Sequence, residues 1–159
     1  MSAMKRLALL ALLLAACAPK PVAEAVYRDM SRQVYSMAAF DASRIEGNWV
    51  QVAGFGNACA GGEMQIGAVT RYALCLPTGV KNGQGGMVAK VPGRFDLPGV
   101  GPFWVLWTDI DNRTMVIGAP SGRYGLILNR DANIPADRLK AARDILQFNG
   151  YDLAKLSVY

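Results

Sequence analysis

The sequence predicts an antiparallel all-β fold, a barrel or a sandwich, with a single helix near the C-terminus. Turn signals such as Asp111-Asn112 and Pro120-Ser121-Gly122 recur about every 8–12 residues, a spacing typical of sandwiches and barrels. Between Ala136 and Phe148 the apolar residues change to three- and four-residue steps, which indicates an amphipathic helix. The chain is 52% hydrophobic and 18% charged, so it has enough apolar surface to form a packed core.

The composition excludes several kinds of chemistry. The 159 residues include no histidine, which rules out Ser-His-Asp and Cys-His catalysis and histidine-based zinc sites. The net charge of +5 is scattered along the chain, and basic residues do not alternate with aromatic ones, so nucleic-acid binding is not predicted. Asp109 and Asp111 lie at one turn, which favours a structural role over glycosidase chemistry. No cofactor and no metal are predicted.

The N-terminus has the features of a signal peptide over residues 1–16. Met1–Arg6 carries two positive charges, and the apolar run Leu7–Leu14 is too short to span a bilayer, which takes about 20 residues. The sequence Leu14-Ala15-Ala16-Cys17 resembles the bacterial lipobox, which implies that Cys17 becomes the acylated first residue of the mature protein. An ordinary secretory signal that happens to contain a cysteine is the alternative.

The residue after Cys17 bears on location. Ala18, in place of an aspartate, resembles the sorting pattern for the outer membrane, so we expect a lipid-anchored protein that faces the periplasm. More than one acyl chain gives stable anchoring. Residues 17–39 are then an acylated N-terminus, a short tether and an extended lead-in, and residues 40–159 form the folded domain.

Cys59 and Cys75 remain as a pair in an exported chain. An even number of cysteines in an oxidising compartment predicts a disulfide between them. Two free buried thiols are the alternative. Two cysteines are too few for a zinc site, which takes about four Cys or His ligands.

The strands are placed by alternation and by turn residues. We predict a first strand, Asn48–Phe55, a loosely alternating stretch that contains one or two strands, Met64–Leu76, and a turn, Lys81–Gly86. Further strands are predicted at Met87–Val91, Phe103–Asp109, Thr114–Gly118, Tyr124–Asn129 and Leu153–Val158. The helix Ala136–Phe148 has Pro135 before it and Gly150 after it. The segment Val26–Met37 fits either a helix or an extended lead-in.

Three motifs in order resemble those of the lipocalins. The first is Phe40-Asp41, Arg44 and Gly47-Asn48-Trp49-Val50, in which Gly-X-Trp opens the first strand. The second is the pair Thr108-Asp109, although Ile110 replaces the tyrosine that follows in the family. The third is Arg130, a basic residue at the end of the last main strand. The part from Phe103 to Tyr159 resembles bacterial outer-membrane lipocalins, with central hairpins that are shorter than usual.

The resemblance implies an eight-stranded antiparallel up-and-down barrel with the helix packed outside and a short closing strand. It also implies that Trp49 closes one end, with Arg130 laid over its indole and bonded to carbonyls near the first turn. Asp109 is expected to brace a turn at this end, which we call the floor. Gly47 and Thr108 complete this structural motif. A solvent-facing Arg130 is the alternative.

The geometry of the family also implies which side chains point inward. Counted from the motifs, the candidates for lining a ligand site are Phe55, Phe103, Val105, Trp107, Tyr124 and Leu126, together with Gln51, Ala53 and Leu128 as further inward positions. An eight-stranded barrel is wide enough either to fill with side chains or to hold one small ligand. A solid core is therefore the alternative for all of these residues.

The resemblance implies a carrier that is not an enzyme and that binds a small lipophilic ligand, such as a fatty acid or a lysophospholipid, for transport, storage or maintenance in the envelope. The second hypothesis is a structural lipoprotein with a filled barrel that binds a protein partner, for instance as an inhibitor. An enzyme on this scaffold would depend on Tyr, Asp or Glu chemistry, because histidine is absent.

Overall fold

The computed structural model describes residues 24–159, and the predicted signal peptide, Cys17 and the start of the tether lie outside them. Nine strands follow one another along a single sheet, a helix comes next, and a tenth strand ends the chain. The strands are β1 Gly47–Phe55, β2 Gly62–Ile66, β3 Thr70–Leu76, β4 Gly79–Gly85, β5 Val88–Val91, β6 Arg94–Leu97, β7 Gly101–Thr108, β8 Thr114–Gly118, β9 Gly125–Asn129 and β10 Leu156–Val158. The helix, α1, is Ala136–Phe148.

Every neighbouring pair of strands in the sheet is antiparallel. The order is β4-β3-β2-β1-β9-β8-β7-β6-β5, and β10 pairs with the end of β1. The first and last main strands, β1 and β9, therefore lie side by side. The predicted all-β antiparallel fold with one C-terminal helix and a closing strand is confirmed.

The two edges of the sheet, β4 and β5, are consecutive in the chain. Alternation of direction along the order above makes β4 and β5 run the same way, and only Gly86 and Met87 connect them. In a flat sheet β4 and β5 would lie at opposite edges, and two residues could not connect them, because each residue spans at most about 3.6 Å. The sheet is therefore curled, and β4 and β5 are two halves of one interrupted strand. Counted in this way, the sheet has eight strands.

The prediction of a turn at Lys81–Gly86 is wrong. All seven residues of β4 pair in register with β3, from Thr70 opposite Gly85 to Leu76 opposite Gly79. The glycines that suggested a turn have a packing role instead. A β-carbon on Gly83 would overlap the ring of Tyr72, which lies across β4 at this point.

The helix α1 packs on the outside of the sheet, against β8 and β7. Its buried residues, Ala142 and Leu146, join a set of side chains that we call the outer cluster. The buried members of this cluster are Val34, Val52, Ala53, Phe55, Leu106, Val116, Ile127, Ala142, Leu146 and Tyr151. The amphipathic helix predicted from the period of the sequence is confirmed at the same bounds.

The segment before the first strand, Val26–Met37, is extended on both sides of a turn at Met30 and Ser31 and contains no helix, which decides between the two readings of the sequence. Tyr27 and Asp29 exchange backbone hydrogen bonds with Gly122, Gly150 and Asp152. Arg28 is buried, and its guanidinium donates to the carbonyls of Asn149 at the end of α1, of Pro120 and of Arg32. The segment is thus held against the sheet. Within residues 24–159, no helix has the length and apolar character needed to cross a bilayer.

Candidate functional site

The concave side of the curled sheet is filled with apolar side chains, which we call the inner cluster. Alternation along each strand sends every second residue to this side. The cluster consists of Ile45, Trp49, Met64, Ile66, Tyr72, Leu74, Phe95, Leu97, Phe103, Val105, Met115, Ile117, Ala119, Tyr124, Leu126 and Leu128. All are buried, and half of them are completely inaccessible to solvent. The structure therefore shows an interior that is closely packed.

Two tyrosines and a threonine place hydroxyl groups on this side. Tyr72 donates to the carbonyl of Pro98, and Tyr124 donates to the carbonyl of Pro102. Burial raises the pKa of both phenols, so they remain neutral donors at physiological pH. The hydroxyl oxygen of Thr70 is buried and has no hydrogen-bond partner among the described residues. The inner cluster itself contains no charged residue.

Four of the six predicted lining residues belong to the inner cluster. These are Phe103, Val105, Tyr124 and Leu126. The predictions for Phe55 and Trp107 are wrong, because both side chains pack in the outer cluster. The inward prediction for Ala53 is wrong for the same reason, whereas Gln51 and Leu128 are buried as expected.

Two β-bulges explain these errors. The pairing of β1 with β9 shifts register between Gln51 and Ala53, and the pairing of β7 with β8 shifts between Val105 and Trp107. One extra residue in a strand reverses the alternation beyond it, so every later side chain changes face. Counting from Trp49 or from Phe103 is therefore correct only as far as the bulge.

The floor is formed where β1 begins and β9 ends. The guanidinium of Arg130 lies 3.8 Å from the ring centroid of Trp49, which is 1% exposed. Arg130 also donates to the carbonyls of Glu46 (2.9 Å), Asn48, Arg44 and Asn112. The indole N–H of Trp49 donates to the carbonyl of Ile45 at 2.7 Å. The contact implied by the motifs is present, and the solvent-facing alternative for Arg130 is not observed.

Three further motif residues lie at this end. Gly47 has φ +103°, a conformation that favours glycine, and a β-carbon there would stand 3.2 Å from the Arg130 guanidinium. Asp109 accepts hydrogen bonds from the backbone N–H groups of Arg113 (2.6 Å) and Thr114 (2.7 Å), across the turn between β7 and β8. The adjacent Thr108 hydroxyl lies 3.2 Å from the side-chain amide of Asn112 in the same turn.

The opposite end, which we call the rim, is formed by the loops 56–61, 77–78, 98–100 and 119–124. Cys59 and Cys75 form a disulfide that ties the first of these loops to β3. The predicted pairing is confirmed. Gln51 accepts from the backbone N–H of Cys75 and donates to its carbonyl, both at 2.8 Å. Near the rim, one disulfide and two hydrogen bonds thus hold β1 and the loop that follows it to β3.

One surface cavity, of about 780 Å³, crosses β1 to β4 and has a mixed lining of polar side chains, such as Gln65 and Gln84, and apolar ones, such as Val50. The other, of about 210 Å³, lies beside the floor between Phe40, Arg44 and Ile110. No group of His, Cys, Asp and Glu side chains suited to a metal ion is found within residues 24–159.

The arrangement of a curled antiparallel sheet, an apolar interior and an Arg–Trp floor can be compared with known proteins. The sequence model of one family, described as a lipocalin-like domain, matches residues 79–159, which is half of the chain. The chain belongs to the lipocalin-like family. Lipocalins are generally binding and transport proteins, and the fold agrees with this.

One known protein is similar to the chain in sequence, and two solved structures are similar to it in fold. Temperature-induced lipocalin-1 of Arabidopsis thaliana is 37% identical over 60 residues, which make up 38% of this chain and 32% of the plant protein. The match thus spans about a third of the length of that relative. Lipocalin 12 from rat epididymis aligns in structure with a TM-score of 0.58 and 12% identity, over 82% of this chain and 91% of the rat chain. The siderocalin Ex-FABP, described as having dual ligand specificities, aligns with a TM-score of 0.54 and 16% identity, over 72% of this chain and 93% of the siderocalin chain.

Sequence reasoning missed two contacts that order the rim of this lipocalin, those of Tyr72 and Gln51. Tyr72 lies on the inner face, and its hydroxyl donates to a carbonyl of the turn between β6 and β7. The side-chain amide of Gln51 bonds to the backbone N–H and carbonyl of Cys75, beside the disulfide. The signal for Tyr72 was available: β3 alternates as Thr70, Tyr72, Leu74. The signal for Gln51 was not, because its partners are backbone atoms that lie 24 residues away.

Proposed function

We propose that this chain is a lipid-anchored bacterial lipocalin of the outer membrane that binds a small lipophilic ligand, such as a fatty acid or a lysophospholipid, for transport or maintenance in the envelope. One observation carries the proposal above all: the interior of a lipocalin sheet is lined by buried apolar side chains from seven of its strands, and the buried charged residues of the described part, Arg28 and Asp109, lie outside this cluster. Burial of an acyl chain there would contribute about 0.8 kcal/mol per methylene.

The N-terminal sequence supports the anchor, and the position of Glu24 supports its orientation. Glu24 pairs with Arg123 at 2.5 Å, and Arg123 lies in the rim loop 119–124. Cys17 lies seven positions earlier, and such a length reaches at most about 25 Å. An acylated Cys17 would therefore keep the rim, rather than the floor, close to the membrane surface from which a lipid is taken.

The packed interior requires that a ligand displace side chains. Methionine is unbranched and adapts its shape more readily than other apolar residues. Met64 and Met115 are fully buried in the inner cluster, and Met37 and Met87 pack at its edge. We infer that the interior makes room for a chain chiefly by rearrangement of these methionines.

The same packing favours a second function. A filled interior suits a structural lipoprotein that uses its surface to bind a protein partner. In that case the interior only stabilises the fold, as in small barrels without a cavity.

Analysis of bound lipid separates the two functions. The protein is purified from membranes without added lipid, and native mass spectrometry and organic extraction are applied to it. A co-purifying lipid at close to one per chain supports the carrier. The matched variants are Val105→Trp, which fills the interior, and Trp107→Ala, which alters only the outer cluster. Val105→Trp should abolish retention, whereas Trp107→Ala should leave it unchanged.

The outcome that contradicts the carrier is equally clear. If the wild type contains no lipid and takes up no added acyl chain, while circular dichroism shows it to be folded, the interior is a core and the second function is preferred. Loss of lipid in both variants would instead place the ligand outside the sheet.

A further inference from the structure

The side chain of Lys81 is directed to the inner side of the sheet. Lys81 lies in β4 opposite Leu74, which is completely buried in the inner cluster. Residues directly opposite each other in an antiparallel pair project from the same face. Gly83, two positions further, confirms this direction, since a β-carbon there would overlap the Tyr72 ring. Lys81 therefore extends over the rim from the inner face of β4.

The side chain of Lys81 lies where the hydrogen bonding between strands is interrupted. No strand pairing joins β4 to β5, and the turn Pro98–Val100 packs beside β4 instead. We call this contact the seam. The Cε atom of Lys81 lies 3.7 Å from where a β-carbon on Gly99 would stand, and the Tyr72 hydroxyl donates to Pro98 in the same turn. A β-carbon on Gly85 would stand 2.8 Å from Pro98, so the fit is close.

The charge of Lys81 has no counterpart in the described part of the chain. No carboxylate within residues 24–159 forms an ion pair with it, whereas Lys90, Lys140 and Lys155 are all paired. Among all paired strand residues within 24–159, Lys81 is also the one charged residue that lies directly opposite a member of the inner cluster. A single cation thus stands at the edge of an uncharged interior.

The geometry points to a headgroup site at the seam, in which the ammonium of Lys81 binds the anionic headgroup, a carboxylate or a phosphate, of an amphiphile whose apolar chain enters the interior. This assignment rests on the proposed function. The Tyr72 hydroxyl is the second donor, and it reaches the headgroup by releasing the Pro98 carbonyl. The apolar chain of the amphiphile carries no charge, so it can be buried in the uncharged interior. The charged headgroup stays at the rim, where water also solvates it.

Calorimetric titration with two ligands of equal chain length tests the site. Decanoate carries the anionic headgroup and 1-decanol carries a neutral one. We expect Lys81→Gln to weaken decanoate binding about three- to tenfold and to leave 1-decanol binding unchanged. Lys81→Glu should weaken decanoate binding further. The matched control is Lys140→Gln, which removes the same charge from the exposed face of α1 and should change neither affinity.

Salt and headgroup chemistry provide independent readouts. Added salt should weaken decanoate binding to the wild type more than to Lys81→Gln, because screening acts on the pair that the variant lacks. Decyl phosphate compared with decanoate decides which anion fits better. Equal effects of Lys81→Gln on decanoate and 1-decanol, or no effect on either, would overturn the headgroup site alone. If neither ligand binds the wild type, the proposed function fails and the headgroup site fails with it.

Discussion

Arg130 connects four segments of the chain with a single guanidinium at the floor. It stacks on Trp49 and donates to carbonyls of the turn before β1, of β1 itself and of the turn between β7 and β8. A cation over an indole contributes about 0.5–2 kcal/mol, and hydrogen bonds from a charged donor add to it. At this scale one planar side chain closes one end of the sheet.

We expect Arg130→Ala to lower the free energy of unfolding by about 1–3 kcal/mol, because four carbonyls lose a charged donor and Trp49 loses its cover. Arg130→Lys should restore less than half of this loss, since a single ammonium cannot reach four carbonyls on three segments. Urea unfolding followed by circular dichroism measures both. Arg71→Ala, on the exposed outer face of β3, is the control, with a change within about 0.5 kcal/mol. An equal effect of the two alanine variants would contradict the role of Arg130.

Asp109 makes the stability of the floor depend on pH. Burial alone would raise the pKa of its carboxyl group, but the hydrogen bonds from Thr114 and Arg113 outweigh burial and lower the pKa below its ordinary value. A lowered folded-state pKa contributes stability that is present above the unfolded value, near 4, and is lost as the pH falls through the folded value. Asp109→Asn should therefore cost more stability at pH 7 than at pH 3.

The measurement for Asp109 is the urea midpoint of the wild type and of Asp109→Asn at both pH values. The difference between the two proteins should shrink on acidification. A difference that stays constant between pH 7 and pH 3 would show that Asp109 acts through its shape rather than its charge.

At the scale of elements, β4 depends on glycine for its packing. Gly83→Ala should lower the free energy of unfolding by about 1–3 kcal/mol, because its new methyl group would occupy the space of the Tyr72 ring. Gly67→Ala is the matched control, since a β-carbon there meets no atom within 4 Å and should have a small effect. If Gly83→Ala becomes nearly neutral in a Tyr72→Ala background, the ring is the cause. Equal costs in both backgrounds would assign the effect to the strand itself.

The disulfide fixes a second element, the rim loop between β1 and β2. Cys59 and Cys75 are separated by 16 positions, and closing a loop of this size is worth about 3 kcal/mol in the chain-entropy account. The double variant Cys59→Ser/Cys75→Ser should lower the unfolding midpoint in urea accordingly. Reduction of the wild type should have the same effect, and it should not change the variant. If reductant also destabilises the variant, the loss of stability on reduction has a cause other than this disulfide.

At the scale of the whole molecule, the curled sheet separates its tryptophans into two environments. Trp49 belongs to the inner cluster, whereas Trp104 and Trp107 pack against the outer cluster on the other face of the sheet. A ligand in the interior approaches only the first of them. The position of a bound acyl chain can thus be read from tryptophan fluorescence.

A fatty acid with bromine atoms in mid-chain should quench the fluorescence of the wild type, because bromine quenches tryptophan on close approach. The quenching should disappear in Trp49→Phe and persist in Trp107→Phe. The unbrominated acid is the control for changes in folding. Quenching that survives Trp49→Phe and disappears with Trp107→Phe would place the ligand on the outer face.

The sequence by itself determined the class of the fold and the residues of the floor. Local signals sufficed for most strands and for α1, because hydrophobic period and turn chemistry depend on neighbours in the chain. The Gly-X-Trp and Arg130 motifs indicated the floor, and the pair of cysteines indicated the disulfide that the structure contains.

The tertiary structure alone decided which side chains face inward beyond the bulges, and it showed that the interior is filled. A bulge arises from the pairing of two strands, so Phe55 and Trp107 could not be placed by counting along one strand. The glycines of β4 resembled a turn until Tyr72 was seen across them. The direction of Lys81 depends on its partner Leu74 and on a turn 18 positions away, and no local pattern in the sequence carries that information.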